Sequence, residues 1–545
     1  MAVITVGKKD LLKLAAVELS DEELENAVSS LGMVVEKAEG GDLSIDITPN
    51  RPDMLSAEGL GRAISAFVEE KTGLRTYKVK ESGIEVYVDK SVKRVRPFIA
   101  AAVARNVKLD DALVKSLAGL QEKLHDTVGR KRRKVAIGFT DLEKLKPPFT
   151  YKAVGPSESP FVPLEQKEAW TPERILKELP KGKAYGYILE GRKRYPLITD
   201  SAGNVVALPP IITAETAKIG PETKSVFIDV TGTSQRAIWE CLSIICCALA
   251  DRGAEIQSVW VNDGKRYATP DLSPEESAVP LRRIDGLLGR RFDAEEAKEL
   301  LERMGYGVEM DEKKAKLHVK IPPYRTDVMH EVDLIEDVAV AFGYMNFAPT
   351  LPDFPSTGVP SASEERDNAV REILVGFGFN EVLARYITNR RDNFTKPGIG
   401  EHPAIHIKNP LTENATMFRS WCLPSLLEIL GLNKDQKMPQ RIFEVGDVAL
   451  LEGGKAVEKK KLAAAICDAK ASFSEMKSLV GAVLAEMGMK CEFAELDSHP
   501  TFIPGRAVEI LRDGKPVGVF GEVHPQALAN FGIEQPVAAL EMELP

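Results

Sequence analysis

The feature that most constrains this chain is a repeat. Leu19-Ser20-Asp21-Glu22-Glu23 superposes on Phe292-Asp293-Ala294-Glu295-Glu296, about 273 residues further on. Without a gap, Leu31-Gly32 then falls on Met304-Gly305 and Val35-Glu36 on Val308-Glu309. With one inserted residue, Pro49-Asn50-Arg51-Pro52-Asp53-Met54 falls on Pro323-Tyr324-Arg325-Thr326-Asp327-Val328. Self-similarity at this spacing means that one supersecondary design is used twice. Each copy reads as helix, strand, turn and helix. In the first, Ser20 and Glu23 form a capping box and Gly32 ends the helix. Both copies place an Arg and an Asp two residues apart at the strand-to-helix turn. That pair reads as structural, the Asp capping the turn and the Arg tying it down.

The second copy adds acids to the helix that follows. Asp333, Glu336 and Asp337 sit at i, i+3 and i+4 and share one face. Asp327 lies just upstream, within reach of the same face. Four carboxylates converging there would suit Mg²⁺, which takes a few carboxylates plus water. The same residues allow a second reading. Val332, Ile335, Val338, Ala339 and Phe342 form an apolar stripe, and the acids then occupy the wet face near the helix N-terminus, where the macrodipole favours negative charge. The first copy has Glu58, Gly59, Gly61 and Arg62 instead and is not expected to bind metal.

A length of 545 residues suggests three to five domains. Hydrophobic residues make 44% and charged residues 28%, the balance of a soluble globular chain. Three of the six cysteines fall in one apolar run, WECLSIICCALA, and none forms a CxxC pair, which points to core thiols in a reducing cytoplasm. The N-terminus has no signal-peptide pattern, and no apolar run is long enough to span a bilayer. The net charge of −9 argues against tight unaided binding of nucleic acid. Three short basic runs stand out: Lys93 to Arg96, Arg130 to Lys134 and Arg192 to Arg194. Each reads first as a solvated loop. The scattered histidines, among them His330, His402, His406, His499 and His524, are given no role.

Between the two copies, residues 80–266 alternate strand-like and helix-like segments, an α+β pattern with mixed strands. In KSVFIDVTGT a period of two puts Phe227, Asp229 and Thr231 on one face and Ile228 and Val230 on the other. A polar pair beside an aromatic suits an aromatic amino acid with a polar tip; the alternative is an edge strand with a solvated face. After the second copy, LPDFPSTGVPSASEE reads as a linker. The last block ends in a hairpin signalled by DGKPVG.

Taken together, IPPYRTDVMHEVDLIEDVAVAFGY, NRPDMLSAEGLGR, the run from YPLITD to VFIDVTGT, NPLTENATMFRSWCLPSLL and FEVGDV resemble, in order, the signatures of the phenylalanine–tRNA ligase beta subunit family. The short form resembles the archaeal type, without the OB-fold insert and anticodon-binding domain of bacterial relatives. The resemblance implies an α+β multidomain chain: an N-terminal domain over 1–76, an editing-type domain over 80–266, a magnesium-type domain over 270–348, and over 360–545 a class II synthetase-like antiparallel-sheet domain. It implies a Mg²⁺ site at Asp327, Asp333, Glu336 and Asp337, the last being Glu in the family. It also implies editing of Tyr-tRNA at Asp229 and Thr231, with Leu197 as a side-chain wall; here Thr213-Ala214 departs from the family's pattern. An apolar pocket cannot strongly reject an isostere that only adds a hydroxyl, so a second sieve that bonds the hydroxyl is physically useful. The last block has no catalytic residues for aminoacylation: Ile442 stands where a working class II site has the Arg that partners its Glu, and no Gly-rich motif ending in Arg follows. The implied partners are the alpha subunit of an (αβ)₂ heterotetramer, which would hold ATP, and tRNA(Phe), with no DNA and no membrane. Two other readings are a free-standing deacylase of mischarged tRNA and a non-catalytic RNA-binding scaffold.

Overall fold

The computed structural model describes residues 2–311, 313, 315–352, 356–496 and 498–545. The chain forms two compact units, one ending at Leu351 and the other beginning at Pro352. The multidomain α+β class expected from the sequence is what the structure has. The expected linker lies partly outside the described residues, and its last residues already belong to the helix Ala362–Gly376.

The first unit contains both copies of the repeat, and they match element by element. The first runs through strand Ala2–Gly7, helices Lys8–Ala15 and Asp21–Ser30, strands Val34–Glu39 and Asp42–Ile47, and helix Ala57–Phe67. The second runs through Glu275–Pro280, Leu281–Leu288, Ala294–Arg303, Gly307–Asp311, Lys316–Ile321 and Glu331–Phe342 in the same roles. In each, the third strand is central in an antiparallel three-stranded sheet. Ser20 and Glu23 form the capping box, and Asp293 caps the corresponding helix on the Glu296 amide. Gly32 and Gly305 both follow their helix with φ near +84°, at +83° and +85°, a conformation that favours glycine. Arg51 grips Asp53 through two bonds of 2.9 Å, and Arg325 grips Asp327 through Nε at 2.9 Å and Nη2 at 2.7 Å. The copies also pack on each other: the Arg62 guanidinium lies 3.7 Å from the centre of the Tyr324 ring, and Arg303 donates to the Phe67 carbonyl.

Between the copies lies a ten-stranded mixed sheet. Its order runs from Ile212–Thr213 through Val205–Leu208, Tyr195–Thr199, Phe149–Val154, Val79–Val88, Glu255–Asn262 and Phe98–Arg105 to Ser225–Gly232 and Val135–Asp141; Arg266–Thr269 pairs with Glu255–Asn262. Ser225–Gly232 is an interior strand, hydrogen-bonded on both sides and buried at all eight positions. It is therefore not the edge strand with a wet face that the sequence also allowed. Helix Gln235–Asp251 packs against it, burying Cys241, Cys246 and Cys247 as free thiols.

The second unit is built on a seven-stranded sheet that is antiparallel except where Asn380–Glu381 pairs parallel to Gln440–Glu452. RIFEVGDVALL reads from sequence as a strand pair; it is instead one 13-residue strand, Gln440–Glu452, and its hairpin partner is Lys455–Cys467. The turn falls later, at Gly453 and Gly454, the two residues there with positive φ. The DGKPVG hairpin forms as expected, with Asp513 and Gly514 at φ of 52° and 74° joining Phe502–Arg512 to Lys515–Val523. Among the described residues no helix is long and apolar enough to cross a membrane.

Candidate functional site

A cavity of about 230 Å³ opens beside the interior strand. Asp229 and Thr231 line it, together with Gly138 and Phe139 of the neighbouring strand and the segment from Pro209 to Thr213, which ends in the strand Ile212–Thr213. The two ends of the sheet order thus meet across it, which requires the sheet to curl. Arg132 fastens the closure, donating to the carbonyls of Pro210 and Ile211 at 3.3 and 3.2 Å and to Glu122 at 2.8 Å. The volume is below the roughly 300–1,000 Å³ of pockets for drug-sized ligands and suits a single amino acid.

Besides Asp229 and Thr231, the polar lining of the cavity includes Gln121, His125, Arg132, Lys181, Thr213 and Lys218. Asp229 is 2% exposed, and its Oδ1 has no hydrogen-bond partner among the described residues. Burial pushes its pKa from 3.8 up to about 7, against the opposing pull of the Arg96 guanidinium. Gly138 faces Asp229 in the strand register, and a Cβ there would lie 2.4 Å from Oδ1. The glycine in VAIGFTD therefore makes the room in which the carboxyl stands. Thr231 Oγ1 accepts from Arg96 Nε at 2.9 Å, which leaves its own proton free to be donated into the cavity. Arg96 is almost fully buried; it also donates to the Thr231 carbonyl and to those of Arg132 and Arg133.

The other expected residues go elsewhere. Phe227 shares the face of Asp229 but packs into the core, its ring 4.3 Å from that of Phe149, centre to centre. Leu197 is fully buried in an apolar cluster with Val154, Phe161, Leu208 and the cavity-lining Ile211, but does not itself line the cavity. Its strand is separated from Asp229's by four others in the sheet order, so alternation along one strand cannot place it. Ile137, Phe139, Ile211 and Ile212 form the apolar wall instead. Of the departure at Thr213-Ala214, only Thr213 lines the cavity; Ala214 is buried in the same cluster as Leu197.

The four acids of the second copy do not form one donor set. Arg325, 5% exposed, binds Asp327 and also Asp337, the latter at 2.6 Å, and Asp337 accepts a further bond from the Tyr306 hydroxyl. Burial alone would raise the Asp327 pKa, but Arg325 and Arg51 outweigh it and hold the carboxyl below its usual value. Asp333 closes a capping box, accepting from the amides of Met329 and His330 at 2.7 and 2.8 Å. Glu336 is exposed. A divalent cation shared by all four would sit against the buried Arg325 charge, so the arrangement does not fit one. Among the described residues no group of three or more His, Cys, Asp or Glu is placed to hold a metal ion.

Residues 277–344 match the family model of the tRNA synthetase B5 domain, and residues 348–544 that of the phenylalanyl tRNA synthetase beta chain CLM domain. Curated phenylalanine–tRNA ligase beta subunits are similar over their full length. The one from Thermococcus sibiricus is 40% identical, covering 100% of this chain and 98% of its own. The one from Thermococcus onnurineus is 41% identical, covering 98% and 94%. The chain belongs to the phenylalanine–tRNA ligase beta subunit family. A solved structure, the N-terminal fragment of the phenylalanyl-tRNA synthetase beta subunit from Pyrococcus horikoshii, is also similar: 40% identical, TM-score 0.61, covering 63% of this chain and 100% of the fragment.

In the second unit the buried charges pair with one another. Glu444, 2% exposed, is held by Arg419 through bonds of 2.9 and 2.7 Å. Glu541, 4% exposed, accepts from the Cys422 and Leu423 amides at the start of helix Leu423–Leu432 and from Lys461. Neither carboxylate is left for a ligand. Sequence reasoning missed Arg96, Gly138 and Arg132 at the cavity. Arg96 and Arg132 sat inside basic runs read as solvated, and only their place next to strands hinted at burial.

Proposed function

We propose that this chain is the beta partner of a two-subunit phenylalanine–tRNA ligase and that its own chemistry is hydrolysis of Tyr-tRNA(Phe) at the Asp229–Thr231 cavity. The observation that carries the reading is the buried Asp229 Oδ1, without a hydrogen-bond partner among the described residues, in a cavity of amino-acid size. A tyrosine hydroxyl supplies what is absent there: it donates to Asp229 and accepts from Thr231. Phenylalanine would leave Asp229 Oδ1 unpaired and the Thr231 proton without an acceptor, and a site built to bond a hydroxyl rejects the analogue lacking it by about 10⁴–10⁵. No nucleophile with an adjacent base lines the cavity, so water attacks the ester carbonyl, the carbonyl–oxygen bond to the ribose breaks, and the tRNA hydroxyl leaves with a proton. Backbone and the tRNA itself position that water.

Attachment of phenylalanine belongs to the alpha subunit of an (αβ)₂ heterotetramer, which holds ATP and, with it, magnesium; the second unit, its charges closed on each other, serves as a docking fold. The division into 1–76, 80–266, 270–348 and 360–545 describes these roles. The test is deacylation of Tyr-tRNA(Phe) and Phe-tRNA(Phe) by the assembled complex, with and without Asp229→Ala. Retained Tyr-tRNA hydrolysis in the variant refutes the site.

A further inference from the structure

Three basic runs lie far apart in the sequence, at 93–96, 130–134 and 192–194, and the fold brings them together. Arg96, Arg130, Lys131, Arg133, Lys134 and Arg192 line one groove of about 620 Å³. No acid lines it. None of Arg130, Lys131, Arg133, Lys134 and Arg192 makes an ion pair among the described residues. A concave surface of one sign without compensating carboxylates is the footprint of a polyanion site.

The groove is built, not a chance of flexible side chains. Arg130, Lys131 and Arg132 are three successive non-glycine residues with positive φ, at 49°, 53° and 65°. Such backbone persists only where the surroundings impose it. Here Arg96 clamps the Arg132 and Arg133 carbonyls, the Arg132 amide donates to the His125 carbonyl, and Lys134 donates to the Gly129 carbonyl. The result splits the run: Arg132 turns into the cavity, while Arg130, Lys131 and Arg133 line the groove. Thr233 and Ser234 reach the groove at the N-terminus of the 17-residue helix Gln235–Asp251, where the helix macrodipole favours an anion. Tyr187, 42% exposed, lines the same groove with Arg133 5.5 Å from its ring centre, a platform on which a base can stack.

We propose that this groove binds the phosphates of a single-stranded RNA end, delivering its terminal ester to the cavity. This deepens the editing reading and rests on it for the direction of delivery. Arg96 joins the two sites, lining the groove while bonding to Thr231 in the cavity. The charge needed to hold RNA is therefore local, which reconciles RNA binding with a net charge of −9.

The test uses the full-length chain and a fluorescein-labelled single-stranded RNA of about 12 nucleotides, read by anisotropy over a salt series. Arg130→Asn, Lys131→Asn and Arg133→Gln are combined, Asn being tolerated at positive φ. A control combines Lys437→Gln, Lys455→Gln and Lys515→Gln in the second unit. The groove variant is expected to bind at least about 10-fold more weakly, with the slope of log affinity against log salt smaller by about 2, since each contact to a single strand contributes about 0.7. Equal losses in the control, or unchanged binding in the groove variant, overturn the proposal. So does unchanged RNA binding with impaired assembly with the alpha subunit, which makes the groove a subunit contact. Tyr-tRNA deacylation separates the two readings. If the wild type deacylates and the groove variant raises KM at constant kcat, both stand. If the wild type does not deacylate and the groove variant still loses RNA, the groove stands and the editing reading falls.

Discussion

Replacing Asp229 by Asn removes a charge from the cavity while keeping the outline of the side chain, and the pH dependence of stability then reports what burial does to the carboxyl. In the folded chain Asp229 takes up its proton near pH 7; unfolded, it does so near the ordinary value of 3.8. Between those values the folded chain binds more protons than the unfolded chain, so stability falls as pH rises, by about 1.4 kcal/mol per unit. Below the lower value and above the upper one the group contributes no slope. From about pH 5.5 to about pH 8.5 the wild type therefore loses about 2 kcal/mol at this residue, and Asn loses none. An Asn amide has its own unpaired-group cost, roughly 1–3 kcal/mol, but that cost does not change with pH. The readout is the melting temperature of the first unit by calorimetry. The variant-minus-wild-type difference should grow by a few degrees between the two pH values, given about 2–4 °C per kcal/mol for 150–250 residues and less for larger units. A difference that is the same at both pH values refutes the reasoning, because it means that Asp229 is either solvated or paired.

Gly138→Ala puts a Cβ 2.4 Å from Asp229 Oδ1 and must displace the carboxyl; Tyr-tRNA deacylation by the complex should fall at least about 10-fold while phenylalanine charging persists. Arg419→Met leaves Glu444 buried and unpaired, so calorimetry should show the second unit losing about 3–5 kcal/mol, and adding Glu444→Leu should recover most of it. Chelation of divalent cations should leave the melting temperature of this chain alone unchanged, because Arg325 already pairs with both Asp327 and Asp337; a fall of several degrees would reinstate a shared metal.

What could be read from the sequence was whatever depends on neighbours along the chain. The capping box at Ser20, the glycine stops at Gly32 and Gly305 and the Asp513-Gly514 hairpin are local, and each forms as its residues dictate. The face shared by Asp229 and Thr231 follows from strand alternation alone, and both residues line the cavity. Leu197 was out of reach of that logic, since its position relative to Asp229 depends on the order of strands in the sheet and on how the sheet curls. The basic runs show the same limit in reverse. Composition cannot distinguish Arg96, whose buried guanidinium donates four hydrogen bonds, from Arg94, which is exposed two residues earlier.

The second copy's acids show most clearly why a pattern of charges underdetermines a site. Helical spacing correctly places Asp333, Glu336 and Asp337 on one helix, but which oxygen is free depends on cations and amides brought from elsewhere. The repeat itself holds the missing term. In the first copy Arg51 hydrogen-bonds Asp53; in the second, Arg325 hydrogen-bonds Asp327 and reaches Asp337 as well. An arginine placed by the turn in both copies therefore supplies, in the second, the positive charge that the acids require. Taken together, the arginine of the repeat and the acids of the helix make an arginine-held ion cluster a simpler arrangement than a metal site.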